Sequence, residues 1–389
     1  MPSDAFVEVE CTQICKSGMH VCGDSFRSQR IESENRIIAT LADGLGSGVK
    51  ANILATMTAT MAQQFSAANR DIHRFSRVMQ ESLPICRVRK IAYSTFTIVD
   101  SVIEEHVRIA ELGNPPYFLF RNDVEVPVPR EVLPGETQAR DMALSSFMPK
   151  PNDRIIFCSD GVTQAGLGSD DWRFGWQSSE CAAFIKNLLQ SHPGISAHDL
   201  SNSICREALS KEPGRKAKDD ISCAVVYFRS PRKALLLTGP PYNHEHDAEY
   251  GRLLQEDYDS KIVAGGTTAS IAARLLGAEV EVDFDTASGG LPPCSQIEGI
   301  DLVTEGILTL TRLMQYLSEK SVAHQDPAGE MARLLLVHDR IKIVVGTRIN
   351  DSHQDPTFPP ELVMRRNIAM KIASLLRTNY LKEVTIEFI

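Results

Sequence analysis

Ile37-Ile-Ala-Thr-Leu-Ala-Asp-Gly-Leu-Gly-Ser-Gly48 runs without a break from an apolar stretch into a carboxylate and a set of glycines. Ile37 to Leu41 reads as a buried strand, Asp43 to Gly48 as a tight turn, and the Ala/Met/Thr-rich segment Val49 to Phe65 as a helix. Three more aspartates share this setting at strand ends. They are Asp24 in Cys22-Gly-Asp-Ser-Phe26, Asp160 in Cys158-Ser-Asp-Gly-Val162, and Asp219 in Lys218-Asp-Asp-Ile-Ser222. An apolar strand that delivers a carboxylate into a loop holds a hard-cation ligand rigidly. Mg²⁺ and Mn²⁺ take oxygen ligands, and two such ions side by side can activate water and clamp a phosphoryl group. One Asp-Gly alone is above all a turn signal. The chemistry lies in the set.

Around this stretch the strand-like runs are dense: Phe6 to Ile14, Tyr93 to Asp100, His106 to Glu111, Tyr117 to Phe120, Val124 to Val128, Arg154 to Cys158 and Ser222 to Phe228. Helical patterns at Ile72 to Cys86, Ser179 to Gln190 and Ala197 to Leu209 stand apart from them. Strands in succession with segregated helices predict an α+β layered fold. The polar stretch Arg229-Ser-Pro-Arg-Lys233 marks a boundary, giving domains at 1–228 and 234–389. Beyond it strands (Ala234 to Leu237, Lys261 to Ala264, Val280 to Phe284, Arg340 to Val345, Val384 to Ile389) alternate with helices (Thr268 to Leu276, Asp301 to Leu317, Glu361 to Tyr380). That rhythm predicts a small α/β domain with a largely parallel sheet.

The chain has 389 residues, and its 41 basic against 50 acidic residues give a net charge of −9, which disfavours a nucleic-acid binder. Its 9 cysteines are odd in number, scattered and without a C-x-x-C pair, as in a protein of the reducing cytosol. The N-terminus lacks a basic region followed by an apolar one, and no apolar run reaches membrane-spanning length. The expectation is a cytoplasmic protein with no membrane partner.

Five segments occur in a telling order: Gly23-Asp-Ser25, Ala42-Asp-Gly-Leu-Gly-Ser-Gly48, Gly113-Asn-Pro-Pro-Tyr117, Phe157-Cys-Ser-Asp-Gly-Val-Thr-Gln-Ala165 and Lys218-Asp-Asp-Ile-Ser-Cys-Ala-Val-Val226. Through them residues 5–228 resemble the metal-dependent (PPM-type) serine/threonine phosphatases of the protein phosphatase 2C superfamily, in the branch of bacterial stage II sporulation protein E. The resemblance implies a β-sandwich flanked by helices with two Mn²⁺ or Mg²⁺ ions at one edge. Carried over by position, Asp43 bridges both ions, the Gly44 carbonyl contacts one, Asp160 and Asp219 complete a shell, and Asp24 holds metal-bound water. Asp220 is then a polar support. A metal-bridging hydroxide would attack the phosphorus of phosphoserine or phosphothreonine on a bacterial regulatory protein in signal transduction. An anti-sigma-factor antagonist would be such a substrate. A homodimer is an option the family leaves open. The phosphate-binding arginine and acid histidine of eukaryotic relatives have no clear counterpart; Arg27 and Arg30 are nearest, and solvated loop positions suit them better.

The second domain offers weaker signals. Lys261-Ile-Val-Ala-Gly-Gly-Thr-Thr-Ala-Ser270 runs from strand to helix, where exposed amides could take an anion, although a plain turn with a threonine cap reads more simply. Asp301 and Glu305 fall on one face of the predicted long helix, and His244-Glu-His246-Asp247 reads as a coincidental polar loop. Arg365, Arg366, Lys371 and Arg377 form a basic face without aromatics, so it reads as solvated surface. The alternative function is a sensor: an α/β domain that binds a small anionic ligand and controls a weak or degenerate phosphatase domain.

Overall fold

The structure, a computed structural model, describes every residue except 1–4, 69–70, 84–93, 104, 136–140, 244–245, 322–323 and 349–360. The chain divides into two units, Met1–Ser230 and Pro231–Ile389. The helix end expected at Cys86 and the strand start expected at Tyr93 lie outside the described residues, as do His244 and its neighbour 245.

In the first unit the elements are β1 (Phe6–Ile14), β2 (Asp24–Ile31), β3 (Arg36–Gly44), α1 (Gly48–Ala68), α2 (Ile72–Ser82), β4 (Ser94–Val102), β5 (His106–Leu112), β6 (Phe118–Arg121), β7 (Val124–Glu125), β8 (Glu131–Leu133), β9 (Met142–Phe147), β10 (Asp153–Cys158), α3 (Asp160–Thr163), α4 (Gln177–Ser191), α5 (Ala197–Lys211) and β11 (Ile221–Arg229). They build two antiparallel sheets, ordered β1-β11-β10-β6-β7 and β2-β3-β4-β5-β9-β8. One face of the first sheet packs Phe118, Ile156, Cys158 and Val225 against Ile185, Leu200 and Ile204 of the helices α4 and α5. One face of the second packs Ile38, Ala42, Phe96 and Ile98 against Ala55, Ala59, Ala62, Phe75 and Met79 of α1 and α2. The alternate residues of the same strands, among them Ile37, Leu41, Val99, Ile109, Leu119, Ile155, Phe157, Ala224 and Val226, are also buried. With helices over only one face of each sheet, the remaining faces bury one another, which is the expected helix-flanked β-sandwich. Strands buried on both sides read as near-continuous apolar runs, which is why Ile37 to Leu41 was so legible. A short strand not anticipated from the sequence, β9, runs through Met142-Ala-Leu-Ser-Ser-Phe147.

The second unit contains β12 (Lys233–Thr238), α6 (Asp247–Gln255), β13 (Ser260–Ala264), α7 (Gly266–Leu276), β14 (Glu281–Asp283), β15 (Cys294–Ile297), β16 (Ile300–Thr304), α8 (Ile307–Glu319), α9 (Pro327–Val337), β17 (Arg340–Val345), α10 (Glu361–Tyr380) and β18 (Glu383–Phe388). The sheet order is β14-β15-β16-β13-β12-β17-β18. The pairings among β16, β13, β12, β17 and β18 are parallel, and only the β14-β15-β16 edge is antiparallel. Leu235 and Leu237 of β12 point to a core shared with α6 and α7, and Ala234 and Leu236 to one shared with α8, α9 and α10.

Three readings of this half need correction. The segment from Asp301 to Leu317 is not one helix: Ile300–Thr304 is a strand and the helix starts at Ile307. Leu302, Val303, Ile307 and Leu310 fit a helical period, but Gly306 at φ −79°, ψ −97° breaks it. Asp301 therefore accepts a hydrogen bond from the Lys261 amide at 2.7 Å, and Glu305 caps α8 through the Leu308 amide at 3.0 Å. The expected threonine cap of the following helix is also absent. α7 begins at Gly266, its cap residue is Gly265 at φ 122°, and no side chain caps its free amides. Asp247, assigned to a loop, opens α6 instead.

Candidate metal centre

Antiparallel pairing sets Asp24, the first residue of β2, directly opposite Asp43 near the end of β3. Directly opposed residues share a face and hold their Cβ atoms about 5 Å apart. Asp24 is only 3% exposed and its Oδ2 finds no hydrogen-bond partner. Asp160 opens α3, immediately after β10, and its Oδ2 accepts from Gln164 Nε2 at 3.0 Å. Asp219 is exposed on the approach to β11, with Oδ1 taking the amide of Asp220 at 3.0 Å. Asp220 is buried and held in place at both oxygens: it accepts the amides of Lys16 and Gly23, each at 2.8 Å. That pair of bonds fixes the loop that leads into Asp24.

Two glycines allow these strand ends to converge. A Cβ on Gly44 would stand 2.0 Å from the Ala51 carbonyl oxygen in α1, and one on Gly161 would stand 2.1 Å from the Asp220 carbonyl oxygen. Neither has a positive φ. The Asp-Gly pairs at 43–44 and 160–161 therefore do more than turn the chain. They let one backbone touch another beside each carboxylate. Within the turn that follows Asp43, positive φ falls on Gly46 and Gly48, which bend the chain into α1.

The electrostatics are those of an anion cluster. Burial pushes the Asp43 carboxyl up, and the charges of Asp24, Asp160 and Asp219 push it further. Burial likewise raises Asp24, with the Ser222 and Ser159 hydroxyls offsetting part of the rise and Asp220 and Asp219 adding to it. Asp160 is raised by burial and by Asp219. Burial first, and neighbouring carboxylates second, thus destabilise Asp24, Asp43 and Asp160 as anions, and a divalent cation reverses that balance. The orphaned Asp24 oxygen and the all-oxygen donor set fit Mg²⁺ or Mn²⁺. The four carboxylates stay apart: among the described residues, no three of them bring ligand atoms within 4.8 Å of one another. Hard ions that keep several waters suit such an open set.

Among the described residues, the trio that does close to within 4.8 Å is Cys15, Cys22 and Asp220. C-x-x-C spacing does not reveal it, because the two thiols meet only when the loop between β1 and β2 folds back. Their positions flanking that loop, one just after a strand and one just before Asp24, were the available clue. Of the two arginines near Asp24, Arg30 donates to the Val7 carbonyl at 3.1 Å and lies over the Phe6 ring, and Arg27 reaches Gln63 Oε1 at 3.5 Å. The Gly113-Asn-Pro-Pro-Tyr117 segment is bonded into the sheet. Asn114 contacts Thr95, Thr97 and the Leu41 carbonyl, and the Tyr117 amide donates to Glu111 at 2.8 Å.

The family model described as Stage II sporulation protein E (SpoIIE) matches residues 33–229, just over half of the chain. The chain belongs to this family. Its first unit is a phosphatase domain of the PPM type, and Asp24 lies just before the matched stretch. Among solved structures it is similar to the phosphatase domain of the cell fate determinant SpoIIE from Bacillus subtilis, at 18% identity over 58% of this chain and 94% of that one, TM-score 0.44. It is also similar to RsbX in complex with magnesium (20% identity, 57% and 95% coverage, TM-score 0.40) and to the S. agalactiae serine/threonine phosphatase (17%, 57% and 99%, TM-score 0.42). No curated protein matches the sequence. Among the described residues no helix is long and apolar enough to cross a membrane.

Proposed function

We propose that residues 1–228 form a protein serine/threonine phosphatase dependent on two Mn²⁺ or Mg²⁺ ions and acting on a phosphorylated bacterial regulatory protein, such as an anti-sigma-factor antagonist. The observation that carries this reading is the directly opposed Asp24–Asp43 pair with its orphaned buried oxygen, on a chain of a phosphatase family. Bound ions would supply an activated water and neutralise charge on the phosphoryl group. Asp24, Asp43, Asp160 and Asp219 would hold them, with the Gly44 carbonyl. Gly44 and Gly161 keep the backbones close enough for these donors to converge, and Asp220 holds the Lys16 and Gly23 amides so that Asp24 stays in register. A strand-anchored donor set loses little freedom on metal binding, which favours preorganised charge stabilisation in the transition state. The role given to residues 234–389 is regulation or dimerisation.

The test is manganese-dependent hydrolysis of p-nitrophenyl phosphate and of a phosphoserine protein by wild type, Asp43→Ala and Asp160→Ala. Wild type should turn over both, and each variant should lose at least about 100-fold in rate, the scale of a lost electrostatic stabiliser. Equal rates in all three would end the assignment.

A further inference from the structure

We propose that Cys15, Cys22 and Asp220 form a separate site for a soft divalent cation of the Zn²⁺ class, behind the carboxylate cluster and chemically distinct from it. The Sγ atoms of Cys15 and Cys22 and a carboxylate oxygen of Asp220 all lie within 4.8 Å of one another. Tetrahedral zinc with Zn–S near 2.3 Å and Zn–O near 2.1 Å spaces its ligand atoms by roughly 3.5–3.8 Å, so small side-chain rotations close the set. The fourth position belongs to water, since three protein donors are present. Both thiols are half-buried, so solvent and metal reach them, while Asp220 is 4% exposed and held by two backbone amides. The donors therefore stand on a fixed carboxylate and on two ends of one loop.

Ligand softness separates the two sites. Thiolates select Zn²⁺ and its soft relatives, whereas carboxylates alone select Mg²⁺ and Mn²⁺. Binding would release the two thiol protons to solvent as the thiolates form. The ion would join three chain segments. Cys15 directly follows β1, Cys22 sits beside Gly23 and Asp24 at the start of β2, and Asp220 adjoins Asp219 at the start of β11. The loop already leans on this place, since the Ser17 amide donates to the Ala217 carbonyl at 2.9 Å. A cation there would clamp the approach to Asp24 and Asp219 together, giving a thiophilic metal a structural hold on the neighbouring carboxylates without sharing their ligands.

The experiment uses the full-length, reduced chain in excess Mg²⁺, which occupies the carboxylates, and titrates it with Co²⁺ as a spectroscopic stand-in for zinc. The expected result is a sulfur-to-cobalt charge-transfer band that saturates at one equivalent and is bleached by Zn²⁺. Cys15→Ser and Cys22→Ser should each weaken Co²⁺ binding by at least the ~10–100-fold that even a lost supporting contact costs a metal site. Cys294→Ser, in the other unit, should leave it unchanged, with circular dichroism confirming the fold of every variant. The proposal is overturned by the absence of the band, by a band that persists in the Cys15→Ser/Cys22→Ser double variant, or by a Cys15–Cys22 disulfide in protein kept under reductant.

Discussion

Replacing Asp43 by asparagine should stabilise the metal-free protein while removing its response to metal. Asp43 and Asp24 are directly opposed across β2 and β3, so their Cβ atoms lie about 5 Å apart. Two unit charges at that separation repel by roughly 3 kcal/mol at an effective dielectric of about 20. Asp43→Asn keeps the shape and deletes one charge. In chelator at pH 8, the variant should therefore be more stable by up to about 3 kcal/mol. That corresponds to roughly 6–12 °C in Tm for a domain of this size. The sign with pH follows from the raised Asp43 carboxyl. A carboxyl whose folded pKa lies above its unfolded value contributes stability below the unfolded value and loses it as pH rises. The advantage of Asp43→Asn should thus shrink toward zero as pH falls to about 4. Saturating Mn²⁺ should invert the order. A ligand at 1,000 times its dissociation constant adds about 4.1 kcal/mol to wild type, which exceeds that advantage, and the variant should gain little. Denaturant titrations in chelator and in Mn²⁺, at pH 8 and pH 4, read all four states. A variant no more stable than wild type in chelator at pH 8, or one that gains as much from Mn²⁺, would refute the reasoning.

Asp100→Asn should destabilise by about 3–5 kcal/mol, since it strands a buried guanidinium. Asp100 takes Arg36 through both oxygens at 2.8 and 2.7 Å, Arg108 at 2.8 Å and Ser66 Oγ at 2.6 Å, and Arg36 is 0% exposed; urea denaturation gives the loss. Gly161→Ala forces its methyl group to 2.1 Å from the Asp220 carbonyl oxygen, and an overpacking cost of about 1–3 kcal/mol or more should appear in the same assay, with weakened Mn²⁺ affinity by calorimetry. Burial lifts Glu111 to about 7 against the opposing pull of Arg130 and the Tyr117 amide, so wild type should lose stability as pH rises from about 4.5 to 7. Glu111→Gln should remove that part of the slope, roughly 3 kcal/mol across the window, and superimposable pH profiles would count against it.

The β-sandwich was readable because its strands are buried on both faces and so appear as unbroken apolar runs; Arg154 to Cys158 and Ser222 to Phe228 needed only one or two residues of adjustment. Asp43, Asp160 and Asp219 were readable because each follows or precedes such a run, whereas Asp24 opens the polar strand β2 and stood out only through its Gly-Asp-Ser setting. Their mutual register was not. That Asp24 faces Asp43 depends on a hairpin whose pairing no local pattern specifies. The reason for glycine at 44 and 161 was likewise hidden, because the atoms it avoids belong to Ala51 and to Asp220, the latter far along the chain. In the second unit the error at Asp301 came from apolar spacing that suits a strand followed by a helix as well as one long helix. Gly306 decided between them. α9 was missed although Asp326-Pro327 is a helix start, with Asp326 accepting the Gly329 amide at 2.8 Å.

The close approaches at Gly44 and Gly161 also foretell how random variants of this chain would sort. Losing Asp43 or Asp160 removes charge without creating a collision, so such variants should accumulate as soluble protein that cannot work. Any side chain at 44 or 161 meets a carbonyl oxygen at about two thirds of the 3.0 Å below which real contacts do not occur. Those variants should instead be depleted from the soluble fraction, the more so the larger the side chain. A library scored once for abundance and once for turnover would therefore divide neighbouring positions of one motif into two phenotypes, and the second residue of each Asp-Gly pair would be the less forgiving.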